Sequence, residues 1–326
     1  LAEGGHNQML SYFMSADYTI SDKLVQIMYI LSGLFCMYCG VRAWMVKANK
    51  HYIPTGCFWF ALGIVVAFGQ WLPAIASGII VAIVSVPAAL SMVKRGNLES
   101  ATKEEQQKNF KKIGMKIFIP AFGAGVFSIL ISVFLSGWSS LLGSLFATIV
   151  GVILLVIWNR ENKAMTFLEE GRRFLDMTGP TYIMPLLLTC LGAVFTEAGV
   201  GDAFSNLFGA IIPANNVYIG IVAYAVGMAL FTIIMGNAFA AITVMTVGIG
   251  VPFVINLGAN PLYMVTLAMT CGYCGTLLTP MAANFNIVPG IYLEVKNKYS
   301  IIKMQVIPSI LMLVFQIIYM CLMVNA

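Results

Sequence analysis

Charged residues are scarce in this sequence, and one long stretch has none. Asp, Glu, Lys and Arg make up 10% of the 326 residues, whereas soluble globular chains carry about 25%. From Ala203 to Leu293 the chain contains no Asp, Glu, Lys, Arg or His. Because 60% of the residues are hydrophobic, this scarcity of charge excludes an ordinary soluble protein. It predicts an all-α polytopic membrane protein embedded in the lipid bilayer.

Groups that perform catalysis or bind metals are also rare. The two histidines, His6 and His51, lie at or beyond the ends of the apolar runs, so no His/Asp/Ser cluster can form inside the bilayer. Cys271 and Cys274 have a metal-like spacing, but a structural zinc site needs about four ligands, and no histidine or second cysteine pair lies in that region. We interpret both as buried apolar residues. The sequence therefore predicts neither an enzyme nor a metal site, and we expect no catalytic residue.

Basic residues are confined to alternate loops. Of the 18 Lys and Arg residues, only Lys23 lies outside the loops that follow predicted spans one, three and five and the broken segment before the last span. This distribution is the positive-inside pattern. It predicts a multi-pass membrane protein with both termini extracytoplasmic. Since the basic residues form no single patch, nucleic-acid binding is not expected.

Apolar runs and their interruptions divide the chain into four segments. The first is polar, and its Ser21-Asp22 pair is expected to cap the first membrane helix. The third has apolar residues at helical spacing among many charges, which predicts an amphipathic helix in the plane of the interface. The predicted segments are an extracytoplasmic N-terminal extension (1–23), a scaffold half with about five spans (24–158), an interfacial connector (159–179) and a transport half (180–326).

Polar interruptions divide the transport half into a helical hairpin (217–255) and a broken helix (261–293). The first interruption is Gly236-Asn237, and the second surrounds Pro280. In the bilayer core an unpartnered backbone group costs several kcal/mol, so such breaks persist only inside protein or beside a cavity. In transporters, broken helices present their free ends to a solute. We predict ten crossings, or eight if the hairpin is re-entrant.

The side chains at these breaks form the predicted solute site. Free backbone N–H groups at a helix break favour an anion, whereas carbonyl, Asn and Thr oxygens suit Na⁺. Because no Arg or Lys lies in this region, a small organic anion with one carboxylate, or a neutral polar solute, fits best. The alternatives are a tight turn at the first break and polarity that serves helix packing alone. The predicted substrate ligands are Asn237, Thr276, Thr279, Asn284 and Asn286.

Two acidic residues, Glu197 and Asp202, flank a glycine-containing turn at the end of the sixth predicted span. In one interpretation both side chains reach interfacial water. In the other they form an acidic gate that binds a cation or proton at the mouth of the site, since acidic groups facing a membrane cavity mark proton relays. That interpretation would make the chain a Na⁺/H⁺ antiporter. A third alternative is a non-transporting membrane scaffold, whose polar breaks would bind no solute.

The two broken elements, at residues 235–241 and 275–289, resemble those of a bacterial membrane family. That family was catalogued as a domain of unknown function and is now usually labelled the larger subunit of a two-subunit 5-oxoproline (pyroglutamate) transporter. The likeness runs from Leu24 to the C-terminus and includes residues 27–34 and 117–120. More distantly, the pair of elements is similar to the ion-transporter superfamily of dicarboxylate and sodium/proton carriers.

The resemblance implies alternating access coupled to a cation, with Na⁺ favoured, and a smaller membrane partner subunit in a hetero- or homo-oligomer. It also implies a location in a bacterial cytoplasmic (inner) membrane. A bound Na⁺ is the one cofactor it implies. In the superfamily a hairpin tip and a Thr-Pro…Asn break hold substrate and sodium. Asn237, Thr279-Pro280 and Asn284 match these positions, so the resemblance makes Asn237, Thr279 and Asn284 the predicted Na⁺ ligands. The lactam of 5-oxoproline both donates and accepts a hydrogen bond, which an Asn amide complements. Such carriers have two inverted copies of these elements, whereas this chain has one clear copy.

Overall fold

The computed structural model describes residues 9–47, 50–94, 102–161, 163–210, 216–293, 295–297 and 299–324. Across these residues the regular structure is helical and contains no strand. A short helix at residues 9–14 precedes the principal helices. These are α1 (Ile20–Val46), α2 (Tyr52–Phe68), α3 (Ala74–Ala89), α4 (Lys103–Ile113), α5 (Phe118–Phe134), α6 (Leu142–Trp158), α7 (Ala164–Thr178), α8 (Ile183–Glu197), α9 (Val200–Gly209), α10 (Val217–Met235), α11 (Ala238–Met245), α12 (Pro261–Leu277), α13 (Val288–Tyr292) and α14 (Ser300–Leu322).

Several of these helices are long and apolar enough to cross a membrane. Within the described residues there are five, or six if Met165–Thr178 and Ile183–Glu197 count as one broken span. Helices α2, α3 and α6 are apolar but shorter. The predicted all-α polytopic membrane fold is therefore confirmed, while the number of crossings stays a prediction. The five qualifying segments are Ile20–Val46, Glu104–Phe134, Val217–Met235, Ala238–Leu257 and Ser300–Leu322.

The chain divides into two compact units, Leu1–Gly179 and Pro180–Ala326. In the first unit, glycines bring α1 and α2 into backbone contact. A Cβ atom added at Gly33 would lie 2.5 Å from the Gly63 carbonyl oxygen, and one at Gly40 would lie 2.8 Å from the Gly56 carbonyl oxygen. Small residues at such crossings allow membrane helices to approach closely, so larger side chains at these positions would separate the pair.

The cap of α1 differs from the prediction. Thr19, not the Ser21-Asp22 pair, is the N-cap: its hydroxyl accepts from the Asp22 N–H at 3.2 Å, and the Asp22 carboxylate accepts from the Thr19 N–H at 3.0 Å. This reciprocal capping box satisfies two donors at the helix start. Ser21 is 2% exposed, and its Oγ instead accepts a hydrogen bond from the Ser139 N–H at 2.8 Å. The Ser21 side chain therefore fixes the turn between α5 and α6.

Ion pairs attach α4 to the chain beyond α6. Lys112 Nζ lies 2.9 Å from Glu161 Oε1, and Lys108 Nζ lies 3.7 Å from Glu161 Oε2. The hydrogen bond and the charge of Lys112, together with the charge of Lys108, hold the pKa of the Glu161 carboxyl below its ordinary value. Glu161 is exposed to solvent, so this contact positions α4 without adding much stability.

In the second unit, α10 lies at the centre of the core. Buried residues of α10 pack against buried residues of α11, α12 and α14, among them Tyr224, Val244, Met264 and Met320. Close contacts again involve glycine, because a Cβ atom at Gly275 of α12 would meet the backbone of α10. The packing fixes both ends of α10 relative to α12, and the two helix breaks lie at neighbouring ends of these helices.

Two features of the second unit were not predicted. Residues 200–209 form α9, a helix that the sequence analysis did not assign, and Asp202 lies in its first turn. The predicted continuous second arm of the hairpin contains a π-helical turn at Thr246–Gly250. Gly248 contacts α9 there, since a Cβ atom at this position would lie 2.8 Å from the Gly201 carbonyl oxygen. The discontinuity in the predicted broken helix is confirmed, with α12 ending at Leu277.

Candidate functional site

The junction between α10 and α11 forms the first half of the candidate site. Gly236 follows α10 with a φ of 71°, a conformation that costs little only for glycine. A Cβ atom at Gly236 would lie 2.9 Å from the Met281 carbonyl oxygen, so this junction contacts the break that follows α12. Asn237 then caps α11, because its Oδ1 accepts a hydrogen bond from the Phe239 N–H at 2.9 Å.

The Asn237 side chain also connects this junction to α8. It is 8% exposed, and its Nδ2 donates to the Pro185 carbonyl at 3.2 Å and to Thr189 Oγ1 at 3.3 Å. The Thr189 hydroxyl donates in turn to the Pro185 carbonyl at 2.8 Å. Both amide protons of Asn237 are therefore engaged, and its Oδ1 keeps one lone pair for a ligand.

The break after α12 forms the second half. Beyond it, the chain resumes with a π-helical turn at Ala283–Ile287 and then α13. Two buried threonines bond to the backbone around the break. Thr276 Oγ1 donates to the Tyr273 carbonyl at 2.6 Å, and Thr279 Oγ1 accepts from the Met281 N–H at 3.3 Å. Their hydroxyls therefore stabilise the broken backbone.

Asn286 closes the break from the other side. It is 5% exposed, and its Nδ2 donates to the carbonyls of Thr276 at 3.0 Å, Thr279 at 2.7 Å and Leu277 at 3.4 Å. The last carbonyls of a helix have no intrahelical donor, so this amide supplies one. Its Oδ1 is buried and makes no hydrogen bond.

A cavity of about 350 Å³ lies between the two halves. It is lined by α8, the α10–α11 junction, α12 and the residues after the break. Of the predicted site residues, Asn237, Thr276 and Asn284 line it, and the Asn284 side chain is exposed. Thr279 and Asn286 do not line it. The structure thus brings together three of the five predicted substrate ligands and two of the three predicted Na⁺ ligands.

The wall of this cavity is largely apolar, and its few polar groups are uncharged. Among the residues that the structure describes, no Asp, Glu, Lys, Arg or His lines it. Ala238 and Phe239 at the start of α11, with Ala283 and Asn284 at the start of the π-helical turn, contribute to the lining. The first N–H groups of a helix have no intrahelical acceptor and carry partial positive charge. This wall therefore favours one negative charge.

Sequence reasoning missed several lining residues. Pro185 and Thr189 reach the cavity from α8, about fifty positions before Asn237, and their i,i+4 spacing is only a weak signal of a shared helix face. Three aromatic residues complete the wall: the Tyr273 ring lies 6.2 Å from the Phe239 ring and 5.9 Å from the Phe285 ring, between centroids. These rings present a flat apolar surface opposite the polar groups.

A second cavity, of about 540 Å³, also borders the break. Pro280 and Asn286 line it, together with residues of α13 and of the segment that leads to α14. The break after α12 therefore has one cavity beside Asn284 and another beside Asn286. The buried, unpartnered Oδ1 of Asn286 belongs to a residue that lines the second cavity.

The two predicted acidic residues lie elsewhere. Glu197 is the last residue of α8 and Asp202 lies in the first turn of α9; both side chains are exposed, and neither lines either cavity. Within the described residues, no three His, Cys, Asp or Glu side chains are grouped so that they could hold a metal ion. Cys271 and Cys274 are buried with free thiols.

Comparison with known proteins gives one match. A family described as "Protein of unknown function (DUF979)" matches residues 26–325. The chain belongs to the DUF979 family. The match covers nearly the same stretch that carries the resemblance noted from the sequence, but the description of the family names no solute, so 5-oxoproline stays a prediction. No curated protein and no solved structure matches the chain.

Proposed function

We propose that this DUF979 chain is a membrane transporter subunit that carries a small organic anion with a single negative charge. The observation that supports this most directly is the meeting of two helix breaks at one uncharged cavity of about 350 Å³. Polar breaks at membrane depth are costly unless protein or a cavity surrounds them. In transporters such breaks bind the solute. We assign the chain no enzymatic activity.

The charge, volume and aromatic wall of the cavity limit the solutes that can bind there. One carboxylate can be held by the Ala238 N–H at the start of α11 and by the exposed Asn284 amide, because the Phe239 N–H is already bonded to Asn237 Oδ1. A second carboxylate would find no basic side chain among the described lining residues. The volume is at the small end of the roughly 300–1,000 Å³ usual for ligand sites. The aromatic wall favours a ring. 5-Oxoproline, a cyclic monoanion with a lactam that donates and accepts, combines these properties, and we propose it as the substrate.

Coupling, partner and location complete the proposal. We propose that Na⁺ drives transport by alternating access, with Asn237 and Asn284 oxygens among its ligands because both residues line the cavity. A smaller membrane subunit assembles with the chain, as the family resemblance implies. The protein lies in the bacterial inner membrane, as the family resemblance implies, with both termini extracytoplasmic, as the alternation of basic loops indicates.

Uptake of radiolabelled 5-oxoproline into proteoliposomes tests this proposal. Wild type, reconstituted with and without the smaller subunit, is compared with Asn284→Ala in the presence and absence of an inward Na⁺ gradient. Asn284 is exposed, so its substitution should leave the fold intact. Asn216→Ser serves as the matched control, because Asn216 is an exposed residue of the same unit outside the cavity and Ser retains its helix-capping function.

We expect uptake by the wild type to depend on Na⁺. Uptake should fall at least about tenfold in Asn284→Ala, which corresponds to the loss of one hydrogen bond to a charged group. Asn216→Ser should keep the uptake of the wild type. Absence of uptake with the smaller subunit present would reject 5-oxoproline as the substrate. Equal uptake by Asn284→Ala and wild type would place the solute outside this cavity. Uptake without dependence on Na⁺ would reject the proposed coupling ion alone.

A further inference from the structure

Thr189 of α8 provides an unpredicted hydroxyl at the candidate site. The residue is exposed and lines the cavity of about 350 Å³, and its Oγ1 makes two hydrogen bonds. It donates to the Pro185 carbonyl at 2.8 Å and accepts from Asn237 Nδ2 at 3.3 Å. A hydroxyl has a single proton. Because that proton is bonded to Pro185, Thr189 has only lone pairs to present to Asn237.

These contacts select which end of the Asn237 amide meets α8. The lone pair on Thr189 Oγ1 accepts from the amide nitrogen, whereas an amide oxygen at the same place would be repelled. The Pro185 carbonyl, which accepts from the same nitrogen at 3.2 Å, makes the same selection. At the other end of the amide, the Phe239 N–H donates to Asn237 Oδ1 at 2.9 Å. The amide therefore has one orientation in which all three contacts are favourable.

The orientation of the amide decides what Asn237 can offer to a ligand. In the observed orientation both N–H groups are bonded to α8, and the oxygen keeps one lone pair. An oxygen lone pair suits Na⁺, whereas an amide turned by 180° would present N–H groups that repel a cation. In metal sites, residues that bond to a ligand side chain fix its orientation, and their loss weakens metal binding. Thr189 has this relation to Asn237.

A second threonine of α8 shows the ordinary role of such a hydroxyl. Thr196 Oγ1 donates to the Gly192 carbonyl at 3.1 Å, four residues earlier, in the same way as Thr189 donates to Pro185. Thr196 lines neither cavity, and among the described residues its hydroxyl accepts no bond from another helix. A bond to the preceding turn is therefore common to both threonines, and the bond from Asn237 is the feature that distinguishes Thr189.

We propose that Thr189 is a positioning residue for Na⁺ binding at Asn237, which makes α8 a third element of the cation site. Thr189 acts through the Asn237 amide and is not itself a ligand of the ion. This inference rests on the proposed function, because Na⁺ is the coupling ion proposed there. It adds that the affinity for Na⁺ depends on a hydroxyl that the sequence pattern did not assign to the site.

Equilibrium binding of radiolabelled Na⁺ to the purified full chain tests this role without requiring transport. Unlabelled Na⁺ displaces the label at constant ionic strength, which is maintained with K⁺, and a scintillation proximity assay gives the Kd. Thr189→Val and Thr189→Ala remove the hydroxyl, whereas Thr189→Ser keeps it. Thr196→Val is the matched control, because it removes a hydroxyl from another exposed position of the same helix. Gel filtration shows whether each variant is folded.

We expect Thr189→Val and Thr189→Ala to raise the Kd for Na⁺ about threefold to tenfold, as for the loss of one hydrogen bond between uncharged groups. Thr189→Ser and Thr196→Val should stay within about twofold of wild type.

The possible failures are distinguishable. Wild-type affinity in a folded Thr189→Val or Thr189→Ala, or an equal loss in Thr196→Val, would overturn the positioning role and leave the proposed function intact. Absence of Na⁺ binding by the wild type would overturn both this role and Na⁺ coupling. Weaker Na⁺ binding in the variants without the hydroxyl, combined with no uptake of 5-oxoproline by the wild type, would support the role of Thr189 and reject only the proposed substrate.

Discussion

Removal of the Asn286 amide should destabilise the second unit more than any change at Asn284, only two residues away. The Asn286 amide nitrogen donates to two carbonyls at 2.7 and 3.0 Å and to a third at 3.4 Å. In Asn286→Ala the Leu277 carbonyl loses this donor, while the carbonyls of Thr276 and Thr279 keep long backbone hydrogen bonds from the N–H groups of Thr279 at 3.5 Å and Ala282 at 3.4 Å. A buried polar group left unpaired costs about 1–3 kcal/mol. Because the variant also removes the unpartnered Oδ1, we expect a net loss of about 2–4 kcal/mol.

Thermal unfolding of purified protein in detergent measures this difference. A loss of this size should lower the apparent Tm by about 5 °C or more, whereas Asn284→Ala, at an exposed position, should change the stability by no more than about 0.5 kcal/mol. Asn286→Leu separates donation from packing, since Leu has a similar size and shape but cannot donate a hydrogen bond. The reasoning is refuted if Asn286→Leu is as stable as wild type, or if both alanine variants unfold at the same temperature.

Three further changes have defined outcomes. Gly236→Ala places a side chain at a φ of 71° and against the break after α12, and we expect a loss of about 1–2 kcal/mol in thermal unfolding. Gly78→Ala, inside α3 with open space around it, should not lower the Tm, because Ala favours a helix more than Gly does. Lys112 lowers the pKa of Glu161, so the ion pair stabilises the fold only while Glu161 is ionised. The Tm difference between wild type and Glu161→Gln should therefore be constant above about pH 5 and vanish as the pH falls through that lowered pKa. A Tm difference that stays constant down to about pH 3 would contradict the ion pair. Tyr273→Ala should raise the KM for uptake, whereas Tyr273→Phe, which keeps the ring, should not; equal KM values would exclude the aromatic wall from binding.

The sequence identifies the helix breaks because their causes are local. Pro280 cannot donate to a helix, and Gly236 can adopt the positive φ that ends α10. Both effects depend on the residue itself and on its neighbours. The same holds for the charge-free stretch from Ala203 to Leu293, which predicts membrane helices without any knowledge of their packing. These local rules located the two halves of the candidate site.

The partners of the site residues depend on contacts between distant segments. The residues around Asn286 do not show that its amide donates to backbone carbonyls whereas Asn284 lines the cavity. The π-helical turn that contains both residues determines the direction of each side chain. The engagement of the Asn237 amide by α8 depends on residues about fifty positions earlier. α9 was not assigned because its first turn contains a glycine and an acidic residue, which are typical of a loop as well as of a helix start.

The hydrogen bond between Ser21 and Ser139 has a consequence for biosynthesis. The two residues are 118 positions apart, and ribosomes add about 5–20 residues per second, so the Ser21 hydroxyl is made about 6–24 s before its partner. During that interval, the four apolar helices α1, α2, α3 and α5 are synthesised. The start of α1 therefore acquires its final environment only when the turn after α5 emerges, and a stall of translation before Ser139 would leave a nascent chain whose first helix lacks this anchor.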